Sequence, residues 1–175
     1  MPKPKLLLHV CCAPCATHVI EMLKEGFDTT AYFYNPNIRP EEEYKLRLEN
    51  LKKLGVTFVE GKYDVDAWFN ATKGYESEPE GGARCEICYR LRMEEAARFA
   101  KENNFVYFAT TLTISPHKSA RVINSIGEEL SKKYGVKFYS ADFKKKNGFK
   151  KSVELSKKHG LYRQRYCGCV FSMRP

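Results

Sequence analysis

Short apolar runs alternate with amphipathic stretches along this chain of 175 residues, and that alternation restricts the fold more than any other feature. Strands are predicted at residues 6–10, 29–34, 56–63, 105–111 and 136–141. Helices are predicted in a segment that ends at Gly26 and at residues 40–55, 64–72, 86–103, 119–134 and 149–159. This order is typical of a parallel sheet flanked by helices, so we expect a single catalytic α/β domain over residues 1–175.

Most of the chemically reactive residues follow the predicted strands directly. Cys11, Cys12 and Cys15 follow the first strand, residues 110–117 follow the fourth, and Asp142 follows the fifth. Ligands of open parallel sheets bind beyond the carboxyl ends of the strands. We therefore expect these groups to meet at one edge of the sheet.

The cysteines indicate metal or thiol chemistry. There are seven, in three groups: Cys11, Cys12 and Cys15, then Cys85 and Cys88, then Cys167 and Cys169. An odd number without an export signal argues against a disulfide framework. Cys12 with Cys15 and Cys85 with Cys88 form C-x-x-C pairs, a spacing that lets two thiolates reach one metal centre. A Cys₄ zinc site, a [4Fe–4S] cluster and a thiol–disulfide pair all fit this spacing.

Two alternatives to an iron–sulfur centre explain less of the sequence. In a zinc-stapled RNA-binding module the cysteines would hold a structural zinc ion. Such an ion would be superfluous here, because 43% hydrophobic residues already suffice for a core. A thioredoxin-like C-x-P-C at Cys12 and Cys15 leaves the other cysteines unexplained. The closing Cys167-Gly168-Cys169 permits a strained, easily reduced disulfide, so it is either a two-electron dithiol relay or a pair of further metal ligands.

Positive charge is concentrated near the end of the chain. The net charge is +9, and in residues 105–175 Lys and Arg outnumber Asp and Glu by 15 to 4. In the basic segment, at about 142–175, these cations are interleaved with aromatic rings that can stack on unpaired bases. The distribution favours a polyanion such as nucleic acid over a small neutral substrate. Before it, a run of hydroxyl groups ends in His117 and Lys118 and suits a phosphate or a sugar.

The apolar run near the amino terminus is short. It follows Lys3 and Lys5 and breaks at His9, before it reaches the length of a secretory signal. No other run approaches the roughly 18 to 20 apolar residues of a membrane-spanning helix. We expect a cytoplasmic protein without a membrane partner.

Five motifs together resemble the QueH family of epoxyqueuosine reductases. They are His9-Val-Cys-Cys-Ala-Pro-Cys15, Arg84-Cys-Glu-Ile-Cys-Tyr89, Thr110-Thr-Leu-Thr-Ile-Ser-Pro-His-Lys118, Asp142-Phe-Lys-Lys-Lys146 and Tyr162-Arg-Gln-Arg-Tyr-Cys-Gly-Cys169. The resemblance implies a fold of the adenine-nucleotide alpha-hydrolase-like (Rossmann-like) group, with the cysteines in place of the phosphate loop after the first strand. It also implies an oxidoreductase that converts epoxyqueuosine to queuosine at the wobble position (34) of tRNA, without cobalamin. That reaction is the last step of queuosine biosynthesis.

The motifs and the resemblance together lead to expectations for the site. The ligands of a [4Fe–4S] cluster are expected to be Cys11, Cys12, Cys85 and Cys88. Catalytic roles are expected for Cys167, Cys169, Asp142 and Tyr166, and a second metal ion or a substrate contact at Cys15 and Asp142. Binding of tRNA is assigned to Lys144, Lys145, Lys146, Lys150, Lys151, Arg163 and Arg165, and substrate contacts to His117 and Lys118. The expected partners are an electron donor and tRNAs with a GUN anticodon, which accept aspartate, asparagine, histidine or tyrosine.

Overall fold

The fold is built on one parallel sheet. The computed structural model describes residues 1–173. Its strands are β1 (Lys5–His9), β2 (Asp28–Phe33), β3 (Phe58–Glu60), β4 (Tyr107–Thr110) and β5 (Lys137–Phe138). They lie side by side in the order β3-β2-β1-β4-β5, and every neighbouring pair is parallel. The parallel α/β sheet predicted from the sequence is confirmed.

Residues 1–173 form six α-helices around the sheet. They are α1 (Ala13–Leu23), α2 (Glu41–Lys52), α3 (Val65–Thr72), α4 (Ala83–Glu102), α5 (Ala120–Tyr134) and α6 (Gly148–Lys158). Of these, α3 packs on α4 and α6 packs on α1. Helix α5 begins after Ser119, whose hydroxyl accepts from the Val122 amide, and ends at Gly135 with φ +68°. None of the helices in residues 1–173 combines the length and the apolar character that crossing a bilayer requires.

Three boundaries differ from the sequence prediction. Strands β3 and β5 are shorter than the predicted runs 56–63 and 136–141, because each lies at an edge and pairs on one side alone. Helix α4 begins at Ala83, after an extended Gly82, so Cys85 lies inside the first turn. This earlier start places Cys85 and Cys88 one above the other on the helix surface.

Both faces of the sheet are buried. Leu6 and Leu8 of β1 pack in one core with α1 and α2, and Leu7 packs on the other side with α4 and α5. Helix α6 lies against α1. A strand that is covered on both faces carries a continuous apolar run, which is why Leu6-Leu7-Leu8 shows no alternation.

The strand order creates a crevice between β1 and β4. The chain leaves β1 toward β2 and β3, then crosses back to add β4 and β5 on the other side. The connections that follow β1 and β4 therefore diverge, and ligands bind where such connections separate. His9 and Thr110 end these two strands and are partners in register.

His9 ties the ends of these strands together. Its Nε2 donates to the Tyr34 carbonyl at 3.0 Å, and its Nδ1 lies 3.0 Å from the Thr110 hydroxyl. Because a carbonyl can only accept, the neutral ring carries its proton on Nε2, and Nδ1 accepts from Thr110. Burial, followed by the charge of Arg92, lowers the pKa of His9 to about 4. The imidazole is fully buried and neutral at pH 7.

The free energy of unfolding should decrease as the pH is lowered, because His9 is buried in its neutral form. His9 stays neutral in the folded chain down to about pH 4 but takes up a proton near pH 6.5 in the unfolded chain. Its contribution is therefore present above about pH 6.5 and is lost as the pH falls toward 4, by about 2 kcal/mol between pH 7 and pH 5. Urea unfolding of metal-free protein at both pH values measures it. His9→Gln should lose this part of the pH dependence, and the exposed control His159→Gln should keep it. An equal pH dependence in His9→Gln and the wild type would contradict the assignment.

Candidate active site

A cavity of about 270 Å³ opens in the crevice beyond β1 and β4. Its walls come from the turn after β1, from the connection after β4 and from the carboxyl-terminal segment. Cys11, Cys15, His117 and Lys118 line it together with Arg163, Arg165, Tyr166 and Cys167. The structure thus brings together three of the predicted groups: reactive cysteines, the His-Lys pair and two of the arginines.

Three cysteine sulfurs meet at the start of α1. The Sγ atoms of Cys11, Cys12 and Cys15 all lie within 4.8 Å of one another, as the ligands of one metal centre would. Cys12 is the residue before the first turn of α1, and no side chain caps that turn. The positive end of the helix dipole therefore faces the sulfurs and favours thiolate.

The pKa values of these three thiols are shifted in different directions. Hydrogen bonds from Cys12 and Cys15 hold the pKa of Cys11 well below its usual range. The pKa of Cys12 is raised by burial, and that of Cys15 is raised by its hydrogen bonds to the other two sulfurs. The thiolate form is thus most favoured at Cys11, whose Sγ also lies 3.6 Å from the Thr111 hydroxyl after β4.

The other four cysteines surround a second, smaller pocket beside the first. Cys85, Cys88, Cys167 and Cys169 all line it. Cys88 and Cys169 are buried against Trp68, and the Cys85 Sγ accepts from the Gly81 amide at 3.2 Å. The structure therefore places the four expected cluster ligands in two adjacent groups, Cys11 with Cys12 and Cys85 with Cys88. Arg92, Lys118 and Cys167 line both spaces and connect them.

The closing cysteine pair is held in a tight turn. A hydrogen bond from Cys169 holds the pKa of Cys167 well below its usual range, and the pKa of Cys169 is raised by the same contact. Gly168 between them has φ +116°, and a Cβ on it would lie 2.8 Å from Ile38 Cγ1. The position therefore requires glycine, and the two sulfurs are neighbours as a dithiol relay requires.

A polar stripe on α2 anchors this segment. The buried Arg47 donates from Nη1 to the Cys167 carbonyl and from Nη2 to the Tyr166 carbonyl, both at 2.9 Å, and from Nε to Glu43 at 2.8 Å. Asn50 and the Tyr162 backbone exchange two hydrogen bonds. Glu43, Arg47 and Asn50 follow one another at helical spacing, so they share one face. They were not predicted from the sequence, although three polar residues in helical register next to the apolar stripe are a signal for such a contact.

Other predicted site residues are engaged elsewhere. The Asp142 carboxylate accepts from the Lys144 amide at 3.1 Å and pairs with the Lys144 ammonium at 3.2 Å. The same ammonium also donates to the Thr113 and Lys118 carbonyls. Asp142 lines neither space, so the structure does not bring it to Cys15. The Tyr166 hydroxyl donates to the Arg39 carbonyl, although its side chain borders the cavity.

The remaining predicted cations lie outside the cavity walls. Lys145, Lys146, Lys150 and Lys151 are exposed around the amino-terminal end of α6. Phe149 and Ser152 of that helix reach the cavity, so this end of α6 lies at its rim. A second missed contact is Gln164, whose Nε2 donates to the Cys12 sulfur at 2.8 Å. An amide that binds a sulfur has no sequence signature, because any loop can carry a glutamine.

Arg47→Met should loosen the carboxyl-terminal segment without unfolding the sheet. The substitution removes three hydrogen bonds and leaves two carbonyls without these donors and Glu43 without its ion-pair partner. Amide exchange measured by mass spectrometry should accelerate at least about tenfold in peptides that cover 162–169 and stay unchanged in β1. The control is Lys45→Met on the same helix, an exposed residue whose ion pair with Glu41 contributes little. Unchanged exchange at 162–169 in Arg47→Met would show that the stripe does not hold this segment.

Comparison with known proteins gives consistent matches. The sequence model of the family described as "Epoxyqueuosine reductase QueH" matches residues 6–175. The epoxyqueuosine reductase QueH of Streptococcus pyogenes serotype M1 is 43% identical over 182 residues, covering 98% of this chain and 71% of the relative. The protein of the same description from Thermotoga maritima is 40% identical over 175 residues, covering 96% and 90%. The protein from Histophilus somni is 44% identical over 176 residues, covering 97% and 72%.

A solved structure shares the fold. It is the crystal structure of a predicted subunit of tRNA methyltransferase from Methanocaldococcus jannaschii, and it superposes with a TM-score of 0.58. The alignment covers 87% of this chain and 76% of that one at 18% identity. At that identity the likeness concerns the arrangement of the strands and helices alone.

Proposed function

The chain belongs to the QueH family of epoxyqueuosine reductases, and we propose that it reduces epoxyqueuosine to queuosine at the wobble position of tRNA. One observation supports this reading above the others. Reactive sulfurs and the arginines of the basic segment line the same cavity, at the edge of the sheet where parallel folds bind ligands. A thiol–disulfide oxidoreductase needs no such cations beside its cysteines, whereas an enzyme that reduces a base in RNA needs both.

The sulfur groups suit an iron–sulfur cluster. Cysteine thiolates are the ligands of such clusters, and the described residues offer two adjacent groups of them in buried surroundings. We assign Cys11, Cys12, Cys85 and Cys88 as ligands of a [4Fe–4S] cluster. When bound, a cluster of this kind supplies electrons one at a time. Cys15 borders the cavity and is left to contact the substrate or a second metal ion.

Removal of the epoxide oxygen requires two electrons and two protons, and the closing cysteine pair can hold them. Two thiols that close to a disulfide release two electrons and two protons, and the oxygen leaves as water while the two carbons form an alkene. Cys167 lines the cavity, with Cys169 hydrogen-bonded to it. We assign the relay to this pair, and the electron donor then restores the dithiol.

Tyr166 and Asp142, the two acids expected to protonate the departing oxygen, already have hydrogen-bond partners. The Tyr166 hydroxyl and the Asp142 carboxylate have partners at Arg39 and Lys144, so each acts as an acid only after it releases them. His117 and Lys118 line the cavity and are better placed to contact the nucleoside. We assign them to substrate binding.

The substrate is a nucleoside within a folded tRNA, so the surface around the cavity must bind its phosphates. Arg163 and Arg165 line the cavity, and Lys145, Lys146, Lys150 and Lys151 lie exposed near its rim. Lys144 is held by two carbonyls, so its contribution to phosphate binding is smaller. We propose that an anticodon loop with a GUN anticodon lies on this surface and extends its wobble base into the cavity.

Substitution of single cysteines tests the ligand assignment. In anaerobically reconstituted protein, Cys85→Ala and Cys88→Ala should lose most of the bound iron and of the visible charge-transfer absorbance, because each removes a ligand. Cys15→Ala is the matched control from the same sulfur group and should keep the absorbance and most of the iron, since at most a second metal ion depends on it. Equal loss of iron in Cys15→Ala and Cys88→Ala would place Cys15 among the ligands. A colourless wild type with one bound zinc would overturn the cluster itself.

Conversion of the nucleoside tests the function directly. Reduced holoenzyme incubated with tRNA that carries epoxyqueuosine should yield a nucleoside lighter by one oxygen atom, detected by mass analysis of digested tRNA. Cys169→Ala should lose most of this conversion when the donor is limiting, because a single thiol cannot close the disulfide. An unchanged nucleoside, together with brisk reduction of a disulfide substrate, would replace this function with a thioredoxin-like one.

Salt dependence tests the assigned tRNA surface. Replacing Lys150 and Lys151 by Gln should weaken binding of an anticodon stem-loop and reduce the slope of log affinity against log salt by about 0.7 to 0.9 for each lost phosphate contact. The control replaces Lys24 and Lys53, which follow α1 and α2 at the opposite edge of the sheet. If both pairs change the slope equally, the binding surface is not the one assigned here.

A further inference from the structure

Helix α4 carries an arginine on the same face as its two cysteines. Arg92 follows Cys88 by four residues and Cys85 by seven, so the three side chains share one stripe of the helix. Only 2% of Arg92 is exposed, and it lines both the cavity and the smaller sulfur pocket. A fixed positive charge is thus buried between the two cysteine groups.

Arg92 lacks the partners that a buried guanidinium needs. Its Nη1 makes one long contact of 3.4 Å with the Asn35 amide oxygen, and its Nε makes no hydrogen bond within residues 1–173. No carboxylate in that part of the chain forms a salt bridge with it, whereas the buried Arg47 pairs with Glu43. A buried charge without an ion-pair partner is destabilising, so we expect an anion to be held beside Arg92.

Sulfurs are the anionic groups with the largest effect on Arg92, and Glu80 and Tyr89 are the other acidic groups that line the smaller pocket with it. Burial lowers the pKa of Arg92, but the charges of Cys88, Cys11 and Cys167 outweigh burial and raise it. Arg92 also lines the smaller pocket with Cys88 and Cys167 and the cavity with Cys11, so its position and its surroundings both indicate a pairing of the guanidinium with the sulfur groups.

We propose that Arg92 is the counter-charge of the metal–sulfur centre and sets its reduction potential. This inference rests on the proposed function, since it assumes a centre held by Cys11 and Cys88. Reduction adds one negative charge to the centre, and a positive charge buried beside it stabilises the reduced form more than the oxidised form. Arginine suits this position because its guanidinium remains protonated when it is buried and can direct several N–H donors at neighbouring anions.

The test is a redox titration of reconstituted holoenzyme, followed by visible absorbance, with dithionite as the reductant. Arg92→Met removes the charge, Arg92→Lys keeps a charge, and Arg90→Met on the same helix removes an exposed arginine that pairs with Glu129. Arg92→Met should shift the equilibrium toward the oxidised form at least tenfold, which is about 59 mV for one electron. Arg92→Lys should shift it much less, and Arg90→Met should match the wild type.

The outcomes separate this inference from the function on which it rests. A wild type without a chromophore refutes the proposed cluster and leaves no centre for Arg92. A wild type with a chromophore, and an Arg92→Met variant that titrates at the wild-type potential, refutes the role of Arg92 alone. If that unshifted variant binds the anticodon stem-loop more weakly with a smaller salt slope, Arg92 contacts a phosphate instead.

Failure to assemble the centre is also decisive. If folded Arg92→Met loses its iron while Arg92→Lys retains it, the positive charge is needed to hold the anionic centre, which supports the proposal. If both variants fold but lose their iron while Arg90→Met retains it, the charge alone does not explain the requirement and the proposal is wrong. Circular dichroism of each variant establishes that it is folded.

Discussion

The buried contact between His9 and Thr110 is the interaction on which the site depends. It fastens the carboxyl ends of β1 and β4 side by side, and the second ring nitrogen of His9 binds the Tyr34 carbonyl after β2. The Thr111 amide then donates to the His9 carbonyl, and the Asn35 amide donates to the Val10 carbonyl. These hydrogen bonds fix the end of β1, from which the turn with Cys11 and Cys12 begins. Helix α1 follows this turn, so the positive end of its dipole faces the two sulfurs.

The same crevice concentrates opposite charges. Thiolates are favoured at Cys11 and Cys167, and Lys118 contributes to lowering the pKa of both after the hydrogen bonds of the neighbouring thiols. Arg92 is buried between the sulfur groups, and Arg163 and Arg165 line the cavity. Cations near the sulfurs balance their charge, while those nearer the solvent remain available for phosphates. The cations around the cavity thus form two sets: Arg92 and Lys118 lie with the sulfurs, and the exposed Arg163 and Arg165 of the basic segment are the ones we propose for tRNA phosphates.

Much of this architecture could be predicted from the sequence. The continuous apolar run in β1 and the helical periodicity of α5 depend on local patterns, so the parallel sheet and its flanking helices followed from them. The convergence of Cys11, Cys12 and Cys15 with residues 110–117 followed from the rule for strand ends. The division of the seven cysteines between two adjacent spaces could not be predicted. Spacing along the chain does not determine which of the two spaces the cysteines of a helix face.

The hydrogen bonds that anchor the carboxyl-terminal segment to α2 could not be predicted from the sequence either. Arg47 binds carbonyls about 120 residues away, as the separations of 119 and 120 between the partners show, and a carbonyl carries no residue signature. Asp142 follows β5 as expected, but β5 is a two-residue edge strand and Lys144 pairs with the carboxylate locally. Long-range polar contacts of this kind depend on the packed helices, so only the folded chain reveals them.

The central claim is that sulfurs at this edge of the sheet supply the electrons that remove an oxygen from the nucleoside. A single-turnover measurement tests it most directly: enzyme is reduced, freed of reductant under anaerobic conditions, and mixed with tRNA that carries epoxyqueuosine. Queuosine and the oxidised cysteines are then counted in the same sample. The account predicts one disulfide between Cys167 and Cys169 for each queuosine formed. Formation of queuosine while both of these cysteines remain reduced would contradict it.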